Sequence, residues 1–264
     1  MATLRAILML ALLVLVSLIL IPVQLLANRF GWRIGRWLPV VWHRLARRVL
    51  GLRIHVLGRP APQRPLLMTA NHVSWIDIVA LGSLAPASFI AKSEVAGWPI
   101  FGTLARLQRT VFVDRARRGD TGRVAAEIAD RMSAGDAMIL FAEGTSSSGN
   151  QVLPFRSALV GAAARVAADG GAEVHVQPVA IAYTRLQGLP MGRRLRPLAA
   201  WYGDMDLAPH LWAILKEGAL DMTIVFAEPM LLAPGSDRKA VTVAAEQTVR
   251  RLAALAVAGR PEAA

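Results

Sequence analysis

Asn71-His72-Val73-Ser74-Trp75-Ile76-Asp77 places a histidine and an aspartate five residues apart. An apolar run at 65–70 leads in and another at 76–81 leads out. The first predicts a buried strand and the second a helix, so His72 falls at the strand-to-helix turn. A turn at the C-terminal end of a strand exposes side chains while its backbone stays held. A histidine there can take a proton from a hydroxyl, and a carboxylate beside it can fix its tautomer and stabilise the imidazolium that forms. That is the base and the orienter of a triad without a protein nucleophile, so the attacking hydroxyl would belong to the substrate. A second reading stands beside this one. Ser74-x-x-Asp77 is a capping-box pattern, in which Asp77 only stabilises a helix N-terminus and His72 is an ordinary turn histidine.

Three further stretches carry polar chemistry. Phe112-Val113-Asp114-Arg115 ends a predicted strand, where Arg115 is placed either to hold an anionic group by forked hydrogen bonds or to form a surface pair with Asp114. Phe141-Ala142-Glu143-Gly144-Thr145-Ser146-Ser147-Ser148-Gly149-Asn150 follows another strand. Its glycines and hydroxyls suit either a cradle for an oxyanion or polar headgroup, with Glu143 as an added acceptor, or a plain flexible connection. Leu153-Pro154-Phe155-Arg156 then runs into a small-residue helix at 157–164. Pro178, in the apolar run 176–181, predicts an edge, a bulge or a strand start. His43, His55, His175 and His210 show no metal spacing, and no metal or cofactor is expected. No nucleophile elbow, Walker loop, dinucleotide fingerprint or His-Glu-x-x-His occurs.

These stretches need a scaffold, and the chain alternates short apolar runs with helical segments from about residue 52. Strands are predicted near 53–57, 66–70, 88–91, 110–113, 137–141, 174–182 and 222–226, and helices near 76–84, 98–107, 121–133, 157–168, 210–216 and 238–258. That order predicts an α/β fold, a largely parallel or mixed sheet flanked by helices. Ahead of it, residues 6–27 carry no charge and are long enough to cross a bilayer as a helix, though Pro22 and Gln24 weaken the end. A retained anchor is favoured over a cleaved signal peptide, because the cleavage signal at Leu25-Leu26-Ala27 is poor. Residues 28–64 hold nine arginines and no acid, with Trp32, Trp37 and Trp42 interleaved. This reads as a basic interfacial helix on anionic lipid, with its side of the membrane cytoplasmic. The division expected is 1–50 for the membrane anchor and interfacial helix and 51–264 for the catalytic domain. The net charge of +12 over 264 residues also suits nucleic acid or an acidic protein. No nucleic-acid recognition motif accompanies it, and none is expected to bind. The absence of cysteine excludes disulfides, thiolate nucleophiles and cysteine metal sites.

Taken in order, the blocks Asn71-His72…Asp77, Phe112-Val113-Asp114-Arg115, Glu143-Gly144-Thr145 and the proline-bearing run 176–181 resemble the lysophospholipid acyltransferase family typified by 1-acylglycerol-3-phosphate acyltransferases. The resemblance implies a glycerolipid-acyltransferase-like fold, a bacterial-type inner-membrane location and no covalent acyl-enzyme. It implies that His72 deprotonates the free hydroxyl of a lysolipid, with Asp77 orienting it. The donor would be an acyl carrier protein or coenzyme A thioester, and Arg115, Glu143, Gly144 and Thr145 would shape the headgroup site. Two positions depart from the family pattern. Arg109 stands where the second block usually has glycine, and Ser146 stands where the third usually has an arginine for the acceptor phosphate. Serine cannot carry that charge, and one charged hydrogen bond is worth roughly 1.5–3 kcal/mol. Either Arg109 or Arg156 compensates, or the acceptor has no phosphate there. The run Leu107–Arg115 with 143–147 and 153–157 looks closest to the lyso-ornithine lipid acyltransferase branch, with phosphatidic acid synthesis as the alternative and a non-catalytic membrane-anchored lipid binder as the reading of another class.

Overall fold

The computed structural model describes residues 2–113, 120–170 and 173–262. The chain opens with α1 (Ala2–Arg29), a 3-10 turn at Arg33–Arg36 and α2 (Leu38–Val49). Then follow β1 (Leu52–Leu57), β2 (Leu66–Ala70), α3 (Ile76–Gly82), β3 (Ser88–Lys92), α4 (Phe101–Leu107), β4 (Val111–Val113), α5 (Asp120–Ser133) and β5 (Ala137–Phe141). The remainder is α6 (Ser157–Gly170), β6 (Val174–Leu186), β7 (Leu189–Pro190), α7 (Leu207–Glu217), β8 (Leu220–Phe226), β9 (Met230–Leu232) and α8 (Arg238–Val257).

The sheet runs β1-β8-β6-β2-β5-β3-β4 and is mixed. β6, β2, β5, β3 and β4 pair in parallel, while β8 pairs antiparallel to β6 and parallel to β1. β2 lies centrally and is buried along its whole length, which is why its sequence is an unbroken apolar run rather than an alternating one. After β2 the chain goes first to the β5 side of the sheet and later to the β6 side. The C-terminal end of β2 is therefore a switch point, where the connections diverge.

Alternation along the strands assigns two cores. Leu66, Met68, Ala70, Ile139, Phe141, Ile181 and Tyr183 face one core, which takes Ala6 of α1, Ala46 and Val49 of α2, Ile76 of α3 and Ile214 of α7. Leu67, Met138, Leu140, Val176 and Ala180 face the other, covered by Val124 of α5, Val160 of α6 and Ala245 of α8. Residues 1–50 thus contribute side chains to the first core.

Three details differ from the sequence reading. The helix expected from 98 begins only at Phe101, because Ile100 sits at φ +63. A β-branched residue is rare in that region and cannot sit inside a helix there. β6 continues to Leu186, beyond the expected 182, since β8 pairs with it as far as Leu220↔Leu186. Pro178 lies neither at an edge nor at a strand start. It falls mid-strand, in the gap where β6 exchanges β9 (Val174–Val176) for β8 (from Val179) as its antiparallel neighbour. Its carbonyl accepts from the Ala227 N–H on that side, so its missing N–H points to the break in pairing.

α1 is 28 residues long, continues through Pro22 and is apolar enough to cross a membrane, with 6% of its most apolar window buried. It packs lengthwise on the body. The Arg5 guanidinium donates to the Leu215 and Lys216 carbonyls at the end of α7, at 3.3 and 2.9 Å. At the other end, Gln24 and Asn28 donate to the Leu107 carbonyl at the end of α4, at 3.1 and 2.9 Å. Between them the Trp42 indole donates to Ser17 Oγ. The outward face, including Leu8, Leu12, Leu15, Leu18 and Ile19, is exposed.

Candidate active site

β2 ends at Ala70, and Asn71 immediately ties that end to β6. Its amide donates to the Ile181 carbonyl at 2.9 Å and accepts from the Ile181 N–H at 2.8 Å. His72 therefore leaves the sheet from a fixed point. Its ring stacks on Phe141 at the end of β5, with centroids 3.9 Å apart and planes 16° from parallel. His72 Nδ1 donates to Asp77 Oδ2 at 2.9 Å. A carboxylate only accepts, so Nδ1 carries a proton, and in a neutral imidazole the lone pair then lies on Nε2. The histidine side chain is 17% exposed and Asp77 is fully buried.

Asp77 bonds the turn backbone as well as His72. Oδ2 also accepts from the Val73 and Ser74 N–H groups at 2.7 and 2.9 Å, just ahead of α3, while bonding His72. Oδ1 accepts from the Tyr183 hydroxyl at 2.7 Å. Tyr183 stands beyond the stretch at 174–182 that the sequence reading took for the strand. It is buried, and burial together with the Asp77 charge pushes its phenol well above its usual range. It is therefore a neutral donor at any working pH.

The loop after β5 packs against this turn. Gly144 adopts φ +75, which glycine reaches without Cβ strain, and its N–H donates to the Phe141 carbonyl. Thr145 is exposed and Ser146 half-buried, so both line the loop's outer side. Ser147 N–H donates to the His72 carbonyl at 2.9 Å, which couples the loop to the histidine. Asn150 is held by Arg196, whose guanidinium also bonds the Tyr183 and Met191 carbonyls. Arg196 is buried, and the sequence alone gave no sign of its role.

Glu143 does not project into the opening. It is 1% exposed, Oε1 accepts from the Leu153 N–H at 3.1 Å, and Oε2 has no hydrogen-bond partner among the described residues. Burial, outweighing the Leu153 bond, pushes its acid up to about 8. Arg156 is exposed at the rim, with Nε donating to the Glu143 carbonyl at 3.2 Å. Arg109 is not brought here. It pairs with Asp136 at 3.3 Å, just ahead of β5, a full strand length of about 15 Å from the His72 end. Arg109 therefore cannot replace an arginine at position 146. Arg115 lies outside the described residues. Among the described residues no cluster of His, Cys, Asp or Glu is arranged to hold a metal ion.

The turn thus sets His72 against a buried carboxylate beside the loop that follows β5. The pattern of the family described as Acyltransferase matches residues 53–182. Over 99% of both chains, this one is 53% identical to a lyso-ornithine lipid O-acyltransferase of Brucella abortus. The chain belongs to the acyltransferase family. A second lyso-ornithine lipid O-acyltransferase, from Rhizobium meliloti, is 47% identical over 96% of this chain and 87% of its own. A 1-acyl-sn-glycerol-3-phosphate acyltransferase of Neisseria gonorrhoeae is 35% identical over 78% of this chain and 75% of its own. The fold matches the crystal structure of the 1-acyl-sn-glycerophosphate acyltransferase PlsC from Thermotoga maritima, with TM-score 0.61, 21% identity and coverage of 98% and 97% of the two chains.

Glu143 gives this acyltransferase a pH signature. A carboxyl held neutral to about pH 8 when folded ionises near its ordinary value when unfolded. Between those values only the unfolded chain loses the proton, so stability falls as pH rises from about 4.5 to about 8 and then levels off. Glu143→Gln keeps the acceptor for Leu153 and removes the titration. The melting temperature of the variant, followed in detergent, is expected to gain on the parent progressively across that window. A constant difference would contradict the neutral buried acid.

Proposed function

We propose that the chain moves a fatty acyl group from a thioester to the free hydroxyl of a lysolipid, with His72 as general base. The observation that carries this reading is the Nδ1 bond to buried Asp77, which leaves His72 Nε2 as the lone pair at the partly open face of the turn. Nε2 takes the hydroxyl proton as the oxygen attacks the thioester carbonyl. The tetrahedral intermediate then collapses, and the thiolate leaves with the proton returned by the imidazolium. Asp77 steadies that cation while it exists. Acyl transfer from a thioester is downhill, so positioning and a placed base suffice. The donor is an acyl carrier protein or coenzyme A thioester, and no resident cofactor is called for.

Lyso-ornithine lipid is the acceptor we favour. Two near-full-length relatives carry that description. Ser146, at the loop's outer side, leaves no charge at the position where the resemblance expects an arginine for phosphate, and Arg109 is too distant to substitute. Gly144, Thr145, Ser146 and the exposed Arg156 form the headgroup rim, where Arg156 suits the carboxylate of an amino-acid headgroup. Glu143 supports this rim from beneath.

Residues 1–50 serve as the membrane element and 51–264 as the acyltransferase domain, on the cytoplasmic face of a bacterial-type inner membrane. α1 lies in one leaflet rather than across both. A spanning helix parts its ends by about 30 Å along the membrane normal. Both ends of α1 are bonded to the same catalytic body, through Arg5 and through Gln24 and Asn28.

Proteoliposomes supplied with labelled acyl carrier protein thioester and an equal mixture of lyso-ornithine lipid and lysophosphatidic acid test the acceptor. Label is expected in ornithine lipid, and His72→Ala is expected to abolish it with folding and membrane attachment kept. Label in phosphatidic acid alone would reverse the acceptor assignment, and an active His72→Ala would remove the base. The chain has no cysteine, so topology is tested by single cysteines at Ala2 and Ser236. A membrane-impermeant thiol reagent on the cytoplasmic side is expected to label both. Protection of the Ala2 position alone would show a spanning helix.

A further inference from the structure

Tyr183 lies one residue past the part of the chain matched by the family pattern, which ends at 182. It is nevertheless bonded to the centre of the site. We propose that Tyr183 is a positioning residue that sets the proton affinity of His72 by sharing the charge of Asp77. The inference rests on the reading of His72 as the base.

Asp77 Oδ2 serves His72, Val73 and Ser74, so its place is fixed by three donors. The carboxylate is fully buried, and Oδ1 is met by the Tyr183 hydroxyl at 2.7 Å. A hydrogen bond to a buried ion draws charge toward its donor, and here that lowers the charge left to hold a proton on the imidazole. The fold places this hydroxyl with care. Val179, Ile181 and Tyr183 point to one core along β6, and Tyr183 pairs with Met222 of β8 just before the register shift at Tyr183/Arg185. Its carbonyl is held by Arg196, and the Thr184 carbonyl by the Met191 N–H. Such a mount exceeds what a space-filling aromatic needs, since phenylalanine would fill the same volume.

Among the described residues the other charged or titratable neighbours are few. Glu143 acts on Asp77 through space, and its buried acid is neutral to about pH 8. Arg196 meets Tyr183 at the backbone. On the α7 side, the His210 ring accepts from the Trp75 indole at 2.9 Å, and burial lowers its proton affinity.

The test measures kcat/KM against pH in proteoliposomes for the parent, Tyr183→Phe, and a protein carrying fluorotyrosine at 183. The chain has two tyrosines, so uniform fluorotyrosine labelling of the exposed-site variant Tyr202→Phe modifies position 183 alone. Tyr183→Phe leaves Asp77 more strongly charged toward His72, and the acid limb is expected to move up by about half a pH unit or more. Fluorination makes the phenol a stronger donor, and the limb is expected to move down. Opposite shifts support the proposal. Coincident midpoints in all three proteins, with at most a lowered melting temperature, would show Tyr183 to be packing only. If Tyr183→Phe fails to fold, the fluorotyrosine protein carries the test alone. His72→Ala separates the two claims: an inactive variant with coincident midpoints overturns this inference, whereas an active one overturns the base.

Discussion

A carboxylate with no exposure to water is costly unless its lone pairs are filled, and Asp77 fills them with four donors from two parts of the chain. Two are backbone N–H groups of the turn, one is the imidazole of His72 and one is a phenol from β6. The turn cannot relax without exposing that charge to an unpaired interior. The end of β2, the start of α3 and the register of β6 are thus determined together. Asn71, clasping Ile181 on both its N–H and C=O, fixes the strand side of the same arrangement.

The second buried carboxyl nearby shows what happens when the donors are missing. Among the described residues Glu143 has the Leu153 N–H on one oxygen and no donor in hydrogen-bonding geometry on the other, and burial pushes its acid up to about 8. Asp77 in the first turn of α3 and Glu143 in the loop after β5 are thus two buried acids in different states of pairing.

Much of this was legible in the sequence, for identifiable reasons. Central strands buried on both faces write themselves as continuous apolar runs, so β2 and β5 lay where 66–70 and 137–141 placed them. His72 and Asp77 are close in sequence, and a local turn brings them together regardless of the rest of the fold. What depends on packing between distant segments was hidden. Tyr183 lies 106 residues from Asp77, and its strand outran the apolar run that announced it. Arg109 looked available because it precedes a strand leading toward the site end, but a parallel strand separates its own two ends, and Asp136 holds the arginine at the far one. The capping-box pattern did not exclude a bond to His72, because one oxygen of Asp77 accepts from the Ser74 N–H and from the imidazole together. α1 reads as a membrane span from composition, and only its bonds to α4 and α7 tie both its ends to one body.

Asp77→Asn probes the bond between His72 and Asp77 with the least change in shape. An amide at that position can still accept from the turn, but it can also donate to Nδ1 and hold the wrong tautomer. The single-turnover rate of acyl transfer by the membrane-bound variant, with its fold checked by circular dichroism, is the measurement to make. A fall of about 10³–10⁴-fold is the predicted result, as expected when the orienting carboxylate of a histidine base is lost. A rate within about tenfold of the parent would contradict the claim that a buried carboxylate directs the base.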